Sequence, residues 1–437
     1  MRFNNGNHHD WQNCALDEIC SKITSGGTPS RKNDLFYTNG DIFWVKTKEL
    51  NNWYLNDTEE KITEDAIQKS SAKILPRNTI LLAMYGATVG ELGILNKEMA
   101  CNQACCALLV NPEKADYRFV FYLLLLFKEQ IKSLATGAAQ QNLSAKVIKD
   151  FSFNYPNLIN QKSIADILED LDKKIAINTQ INQTLESMAQ AIFKSWFVDF
   201  DPVHAKANAL ADGASDEQAT LSAMSVISGK SADELIAMNR QNPEHYQKLW
   251  EIANAFPNGF DGEVPSGWGV KKIGEVVERL RNSKKLKKEQ ISQDGENPVF
   301  EQGMEILMGY TNETASFLAS PKNPIFIFGD HTCVTHLSTK PFCIYQNVIA
   351  VKGLNLPTYW VYWAIYGKQE FQEYRRHWAE FIVKEIVVPN DDFLCQEFSK
   401  IVGVFHENSD LIMFENKELV QTRDELLPKL LSGGIEL

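Results

Sequence analysis

Four stretches of this chain carry residue types whose spacing invites a chemical reading. The run "ISGKS" (Ile227–Ser231) resembles the end of a phosphate-binding loop, in which backbone amides and a lysine cradle phosphates. Met224 stands where the first glycine of that loop belongs, so the cradle is not formed. Gly86, Gly90 and Gly93 follow an apolar, strand-like run. No helix pattern opens there and no acidic residue lies at the distance a dinucleotide site needs, so they read as tight turns of a sheet. "FNYPN" (Phe153–Asn157) comes near the N-P-P-Y motif of amino-methyltransferases. Its second residue is Tyr155 and no cofactor-binding glycine motif precedes it, which makes it a helix-entry turn. Asp330, His331 and His336 lie close together, but a metal centre needs more ligands than this run supplies. No Ser-His-Asp arrangement can be argued. The expectation is a chain without catalytic residues, metal or cofactor.

The elements that would position any site follow from length and patterning. At 437 residues the chain exceeds one ordinary core, and two or three domains are expected. Its 44% hydrophobic and 11% aromatic content describes packed globular structure. The strongest apolar run, "FVFYLLLLF" (Phe119–Phe127), is too short for a membrane span and reads as a buried helix. No secretory signal is visible in "MRFNNGNHHDWQ". The eight cysteines form no CxxC pair and read as small buried hydrophobes of a reducing cytoplasm.

The net charge of −12 argues against a polyanionic partner until it is divided by segment. Residues 1–155 carry 17 basic and 17 acidic side chains, and residues 265–388 carry 15 and 13. Residues 156–264 carry 8 and 16, and residues 389–437 carry 4 and 10. The acidity therefore sits in the helical stretches. The two sheet-like segments are neutral to slightly basic.

The chain repeats itself. "KDFSFNYPNLINQKSIADIL" (149–168) resembles "KEIVVPNDDFLCQEFSKIV" (384–402): a strand-like run ending in proline, a polar turn, then a helix. "ACNQACCALLV" (100–110) resembles "FCIYQNVIAV" (342–351), each with a glutamine, Gln103 or Gln346, inside an apolar strand-like run. Each is followed by an aromatic-rich helix. Each half opens on a tryptophan, Trp11 or Trp268, and a short amphipathic helix. Two long helices align at an offset of 234, with Asn182 and Asn416 at one seam position, where a polar residue fixes register at a cost in stability. Antiparallel pairing over some 40 residues would make a rod about 60 Å long. The Ala-rich, acidic stretch 199–264 between them reads as a connector with one or two small helices.

Four stretches in this order, with the duplication, carry a family resemblance: "GGTPSRKNDLFYTNGDIFWVKTKEL" (26–50), "ILLAMYGATVGELGIL" (80–95), "TGAAQQNLSAKVI" (136–148) and "LESMAQAIFKSWF" (185–197). The chain resembles the specificity subunit of a bacterial type I restriction-modification system over nearly its whole length. The second half departs from the first, with "FGDHTCVTHLSTKPF" in place of the glycine-rich stretch. The expected fold is α+β: two similar globular α/β recognition domains separated by two long α-helices packed as an antiparallel coiled coil, with a pseudo-twofold repeat. Expected bounds are 1–155 for the first target recognition domain, 156–198 for the central helix and 199–264 for the connector. The second recognition domain is expected at 265–388 and the C-terminal helix at 389–437.

By this resemblance the protein is a non-catalytic, cytoplasmic subunit. It binds double-stranded DNA and two copies of a methyltransferase subunit, with restriction subunits as further candidates. Each recognition domain would read half of a split, asymmetric target while the helices set the spacing. The competing readings are a methyltransferase or nuclease with fused recognition domains, and a scaffold with no DNA role.

A reader of bases needs Arg, Lys, Gln, Asn and small hydroxyls on rigid edges. In the first half these are Thr28, Arg31 and Lys32; Lys46 and Lys48; Tyr85 and Thr88; and Gln140, Gln141 and Asn142. In the second they are Lys284 and Lys285 within the basic run 279–288, then His331 and Thr332, and finally Arg375, Arg376 and His377, set opposite Gln140, Gln141 and Asn142. The helix ends are apolar beyond one seam: Met188, Ile192, Phe193, Trp196 and Phe197 on one, Leu427 and Leu431 on the other. They are the expected methyltransferase docking residues unless they pack on one another or on the connector.

Overall fold

The computed structural model describes residues 2–5, 10–135, 142–281, 286–303, 306–373 and 375–435. They fall into two compact units, one of residues 1–176 with 416–437 and the other of residues 177–415.

The first unit holds strands β1 (Gln12–Ala15), β2 (Cys20–Ser25), β3 (Ile42–Val45), β4 (Tyr54–Leu55), β5 (Lys61–Ile62), β6 (Ile80–Ala83), β7 (Leu92–Leu95), β8 (Ala100–Cys101), β9 (Cys105–Val110) and β10 (Ser152–Tyr155). Its helices are α1 (Leu16–Ile19), α2 (Glu64–Gln68), α3 (Tyr117–Leu126), α4 (Lys128–Ser133), α5 (Ala145–Lys149) and the first part of α6 (Leu158–Phe197). One sheet has the order β2-β9-β6-β7-β4, a second β5-β3-β8, and β1 pairs with β10. Strands β6, β7 and the first part of β9 are apolar on both faces, because α3 covers one side and the smaller sheet's core the other. The run Phe119–Leu124 of α3 is fully buried, as its unbroken apolarity demands.

The second unit holds a small hairpin, β11 (Phe260–Asp261) and β12 (Val264–Pro265), then β13 (Gly269–Lys272), β14 (Val277–Arg279), β15 (Asn297–Phe300), β16 (Leu307–Thr311), β17 (Ile325–Gly329), β18 (Thr335–Ser338), β19 (Cys343–Ile344), β20 (Val348–Gly353) and β21 (Glu385–Val388). The sheet orders are β14-β20-β17-β18 and β16-β15-β19, and β13 pairs with β21. Apart from β4, which has no counterpart in the larger sheet of the second unit, the two units share one topology. In each small sheet the middle strand pairs antiparallel with the strand that follows it and parallel with the third, β3 with β5 and β8, β15 with β16 and β19. The repeat read from short sequence similarities is a repeat of architecture.

The stretch 199–264 is more structured than expected. It forms four helices, α7 (Asp201–Ala211), α8 (Asp216–Ser228), α9 (Ala232–Gln241) and α10 (Pro243–Ala255). Caps explain the difference. Ser215 and Ser231 each accept from the amide three residues on, while Gln218 and Glu234 return the bond to the cap's own amide. Met224, Leu235, Leu249 and Ala253 close a small core among these helices.

The remaining helices are α11 (Ile273–Val276), α12 (Thr358–Ile365), α13 (Trp378–Phe381) and α14 (Phe393–Leu431). Parts of α6 and α14 run antiparallel within each unit. In the first, Arg423 donates to Asp172 at 2.7 Å beside a core shared by Ile164, Leu168, Leu427, Leu430 and Leu431. In the second, Asn178 donates to Glu415 at 2.8 Å and Asn182 to the Ser409 carbonyl at 3.4 Å. All eight cysteines are thiols; five are buried and three half-buried. Among the described residues no helix is long and apolar enough to cross a membrane.

Candidate nucleic-acid interface

In the first unit, backbone bonds gather four separate segments into one rim. The Gly27 amide donates to the Cys101 carbonyl at 2.9 Å and the Gly26 amide to Cys105 at 3.1 Å. A Cβ on Gly26 would sit 2.2 Å from the Cys101 oxygen, and one on Gly27 2.3 Å from the Ala72 nitrogen, so this approach requires two glycines. It brings Thr28 against Gln103, whose side-chain oxygen its hydroxyl meets. The amide of Asn102 donates to Val45 at 2.9 Å, that of Met84 to Ala104 at 2.8 Å, and that of Leu143 to Met84 at 2.9 Å. Tyr85 forms a bridge with Asn142. Thr28, Lys46, Tyr85 and Asn142 thus share one edge with Gln103. Gly86 and Gly90 adopt positive φ in the turn that carries Thr88, in keeping with the turn reading, whereas Gly93 is no turn residue but lies inside β7.

The second unit repeats this backbone pattern with different side chains. The Tyr345 amide donates to Phe300 at 2.8 Å, the Asp330 amide to Asn347 at 2.9 Å, and the His377 amide to Asp330 at 2.8 Å. Bond for bond, Tyr345 stands where Asn102 does, Asp330 where Met84 does, and His377 where Leu143 does. This corrects the sequence register by one residue. Arg376, not His377, is the counterpart of Asn142, at the same offset of 234 that relates the long helices.

His377 is accordingly not a surface residue. It is fully buried, and its ring nitrogen meets the Glu373 carbonyl at 3.0 Å, so it takes a core position that the other unit fills with Leu143. Arg376 is its exposed neighbour, with 80% of its side chain open and Asp330 at 3.8 Å. Arg375 is half-occupied by Glu373 at 2.8 Å and by Glu380. His331 and Thr332 sit half-buried on the β17–β18 turn, where Cys333 has positive φ and the His331 amide donates to the Gln302 side chain at 3.0 Å. His336 faces inward instead, its ring 4.7 Å from Phe300. Gln140, Gln141, Lys284 and Lys285 lie outside the described residues.

The cations of the first rim are held by a pair of acids. Arg31 makes a two-pronged bond with Glu60 at 2.9 and 2.7 Å while stacking 4.2 Å above the Tyr37 ring. Lys46 reaches Glu59 at 2.8 Å and Glu60 at 3.2 Å, and Lys48 reaches Glu59 at 2.7 Å. Hydrogen bonding from Arg31, with its charge, pulls the Glu60 carboxyl down to about 2. Lys32 remains exposed.

The apolar helix ends are used inside the units. Phe193, Trp196 and Phe197 pack with Phe398, Trp360, Phe256 and Trp268, and Ile192 lies half-buried beside them. Leu427 and Leu431 belong to the first unit's core. Met188 alone of this set is exposed, at 46%. Phe193, Trp196 and Phe197 thus pack on one another and on the connector, the alternative weighed from sequence, with the aromatics Trp360, Phe398 and Trp268 of the second unit added.

Gln103 and Gln346 are the residues that sequence reading placed wrongly. Neither lies within a strand. Each is an exposed residue of a short turn, between β8 and β9 or between β19 and β20. Apolar residues on both sides concealed the turn, although an uncharged amide inside an apolar run was the available signal.

These features define a class: a binding protein built from one α/β unit used twice, with a different polar rim on each copy. Residues 8–187 match the type I restriction modification DNA specificity domain. The chain is 29% identical to the HindI specificity subunit of Haemophilus influenzae, over 98% of this chain and all of that one. It is 24% identical to the MjaIX specificity subunit of Methanocaldococcus jannaschii, over 98% and 94%. Its fold is similar to the crystal structure of the type I restriction-modification S subunit from M. genitalium, with a TM-score of 0.55, 16% identity and 98% of each chain covered. The chain is thus similar over nearly its whole length to type I restriction-modification specificity subunits, and its first part matches their DNA specificity domain.

Proposed function

We propose that the two rims read the two halves of a split, asymmetric DNA target, and that α6 and α14 set the gap between the halves. One observation carries this reading. The same backbone scaffold occurs twice, and matching positions present different hydrogen-bonding groups: Asn142 against Arg376, Tyr85 against His331, Lys46 against Glu301. Asparagine suits adenine edges and arginine suits guanine, so the two halves would select different bases.

In this reading the chain is a cytoplasmic, non-catalytic subunit that carries two copies of a modification methyltransferase subunit, with restriction subunits as further partners. The docking surface shifts from the expected helix ends to their outward faces. In the second unit Ile177, Ile181 and Met188 on α6 and Val404 and Leu411 on α14 are exposed aliphatic residues, the kind of surface that a protein partner covers.

The test is selection of bound duplexes from a random pool, with the chain co-purified with its methyltransferase subunit. Enrichment of two short motifs at a fixed gap is expected. Binding with no enriched motif, and with the salt sensitivity of background, would favour the scaffold reading.

A further inference from the structure

The rims differ at nearly every matched position and agree at one. Gln103 and Gln346 occupy the same place on the same turn, and both are exposed. Each turn is held by backbone bonds at both of its ends. In the first unit the Asn102 amide is bonded to Val45, the Asn102 side chain accepts from the Ala104 amide at 3.2 Å, and the Ala104 carbonyl accepts from Met84. In the second, Tyr345 is bonded to Phe300, the Asn347 carbonyl accepts from Asp330, and Asn347 holds a positive φ of 59°. An exposed glutamine on a pinned turn, linked through backbone bonds to the segment of Asn142 in one unit and of Arg376 in the other, is a mounted pair of amide donor and acceptor.

Resting on the proposal that the rims read DNA, we infer that Gln103 and Gln346 are a matched pair of adenine readers. Each half-site then contains an A·T pair at the equivalent position, although the half-sites differ elsewhere. The chemistry is that of a carboxamide facing adenine in the major groove: the oxygen accepts from N6 and the nitrogen donates to N7. In the first unit the Thr28 hydroxyl takes one lone pair of the Gln103 oxygen and orients the amide, leaving the second for the base.

The experiment is duplex selection with the full chain and its methyltransferase subunit, run with wild type, Gln103→Ala, Gln346→Ala, Gln103→Glu and Gln346→Glu. Wild type should enrich one adenine at the matching place of each half. Each Ala variant should lose discrimination at that one base pair by about 5- to 150-fold, with the other half and the gap unchanged. Each Glu variant should replace adenine with cytosine there, since a carboxylate accepts from cytosine N4, and this gain requires a folded protein. Wild-type motifs from all four variants would overturn the inference while leaving the two-reader proposal intact. A wild-type protein that enriches no motif would overturn both.

Discussion

At the residue scale, most cations of the first rim are balanced by acids of the same unit. Arg31, Lys46 and Lys48 share Glu59 and Glu60. If this rim meets DNA as proposed, phosphates must compete with these two carboxylates, which lowers affinity for arbitrary DNA without touching base readout. Replacing both with Gln should raise affinity for a non-target duplex about tenfold at low salt and steepen its salt dependence by about two released ions. Titration of the variant against salt checks this, and an unchanged slope would show that the cations do not face phosphate. The Glu60 carboxyl, drawn down to about 2, stabilises the rim above its unfolded value near 4 and loses that contribution as pH falls towards 2. The residue types at the rims were legible in the sequence, but their availability was not. Arg31 and Glu60 are 29 residues apart and meet at Trp44 of β3, whose amide donates to the Glu60 carbonyl and whose ring lies under Arg31.

At the element scale, the paired helices carry polar residues at buried positions. Asn178 is buried with a partner in Glu415, whereas the Asn182 side-chain oxygen is enclosed without one among the described residues. A seam asparagine of this kind lowers stability and fixes alignment. Asn182→Leu should raise the melting free energy of the second unit by about 1 kcal/mol and loosen the register of α6 against α14. Chemical denaturation checks the first effect and cross-linking between cysteines introduced at 178 and 415 the second; a destabilised variant would contradict the account.

The same unit should be acid-sensitive. His406 on α14 accepts from the Trp363 indole at 3.2 Å within a cage of Tyr359, Tyr362 and Trp363, and burial pulls its pKa down to about 3. A histidine held neutral below its unfolded value favours the folded state fully above about pH 6.5. That stability falls by about 1.4 kcal/mol per pH unit as pH drops towards 3. Thermal melts from pH 8 to pH 4.5 should show the loss, and His406→Gln should flatten it while keeping an acceptor for Trp363; an equal slope in the variant would place the titration elsewhere. The helices themselves were legible from their length and heptad pattern. The four connector helices were underestimated, because small polar residues hid two reciprocal caps and a compact core.

At the scale of the whole molecule, the duplication was legible from a few short similarities, because a repeated strand-turn-helix pattern survives even where side chains diverge. The register between the rims was not legible. Leu143 and His377 fill the same core position with side chains no sequence comparison would match, and only the backbone bonds to Met84 and Asp330 reveal the correspondence. The surplus of apolar residues at the helix ends misled for a related reason: burial depends on partners distant in sequence, such as Trp360 and Phe398 around Phe197. Under the proposed function the duplication would serve as a ruler, two readers joined by helices whose length sets the gap in the target.

That claim is tested most directly by removing one heptad from each long helix, residues 178–184 of α6 and 409–415 of α14, and repeating the duplex selection in complex with the methyltransferase subunit. Seven residues of helix span about 10.5 Å, or about three base pairs of duplex. The account predicts the same two half-site motifs separated by a gap about three base pairs shorter. Recovery of both motifs at the original gap would contradict it.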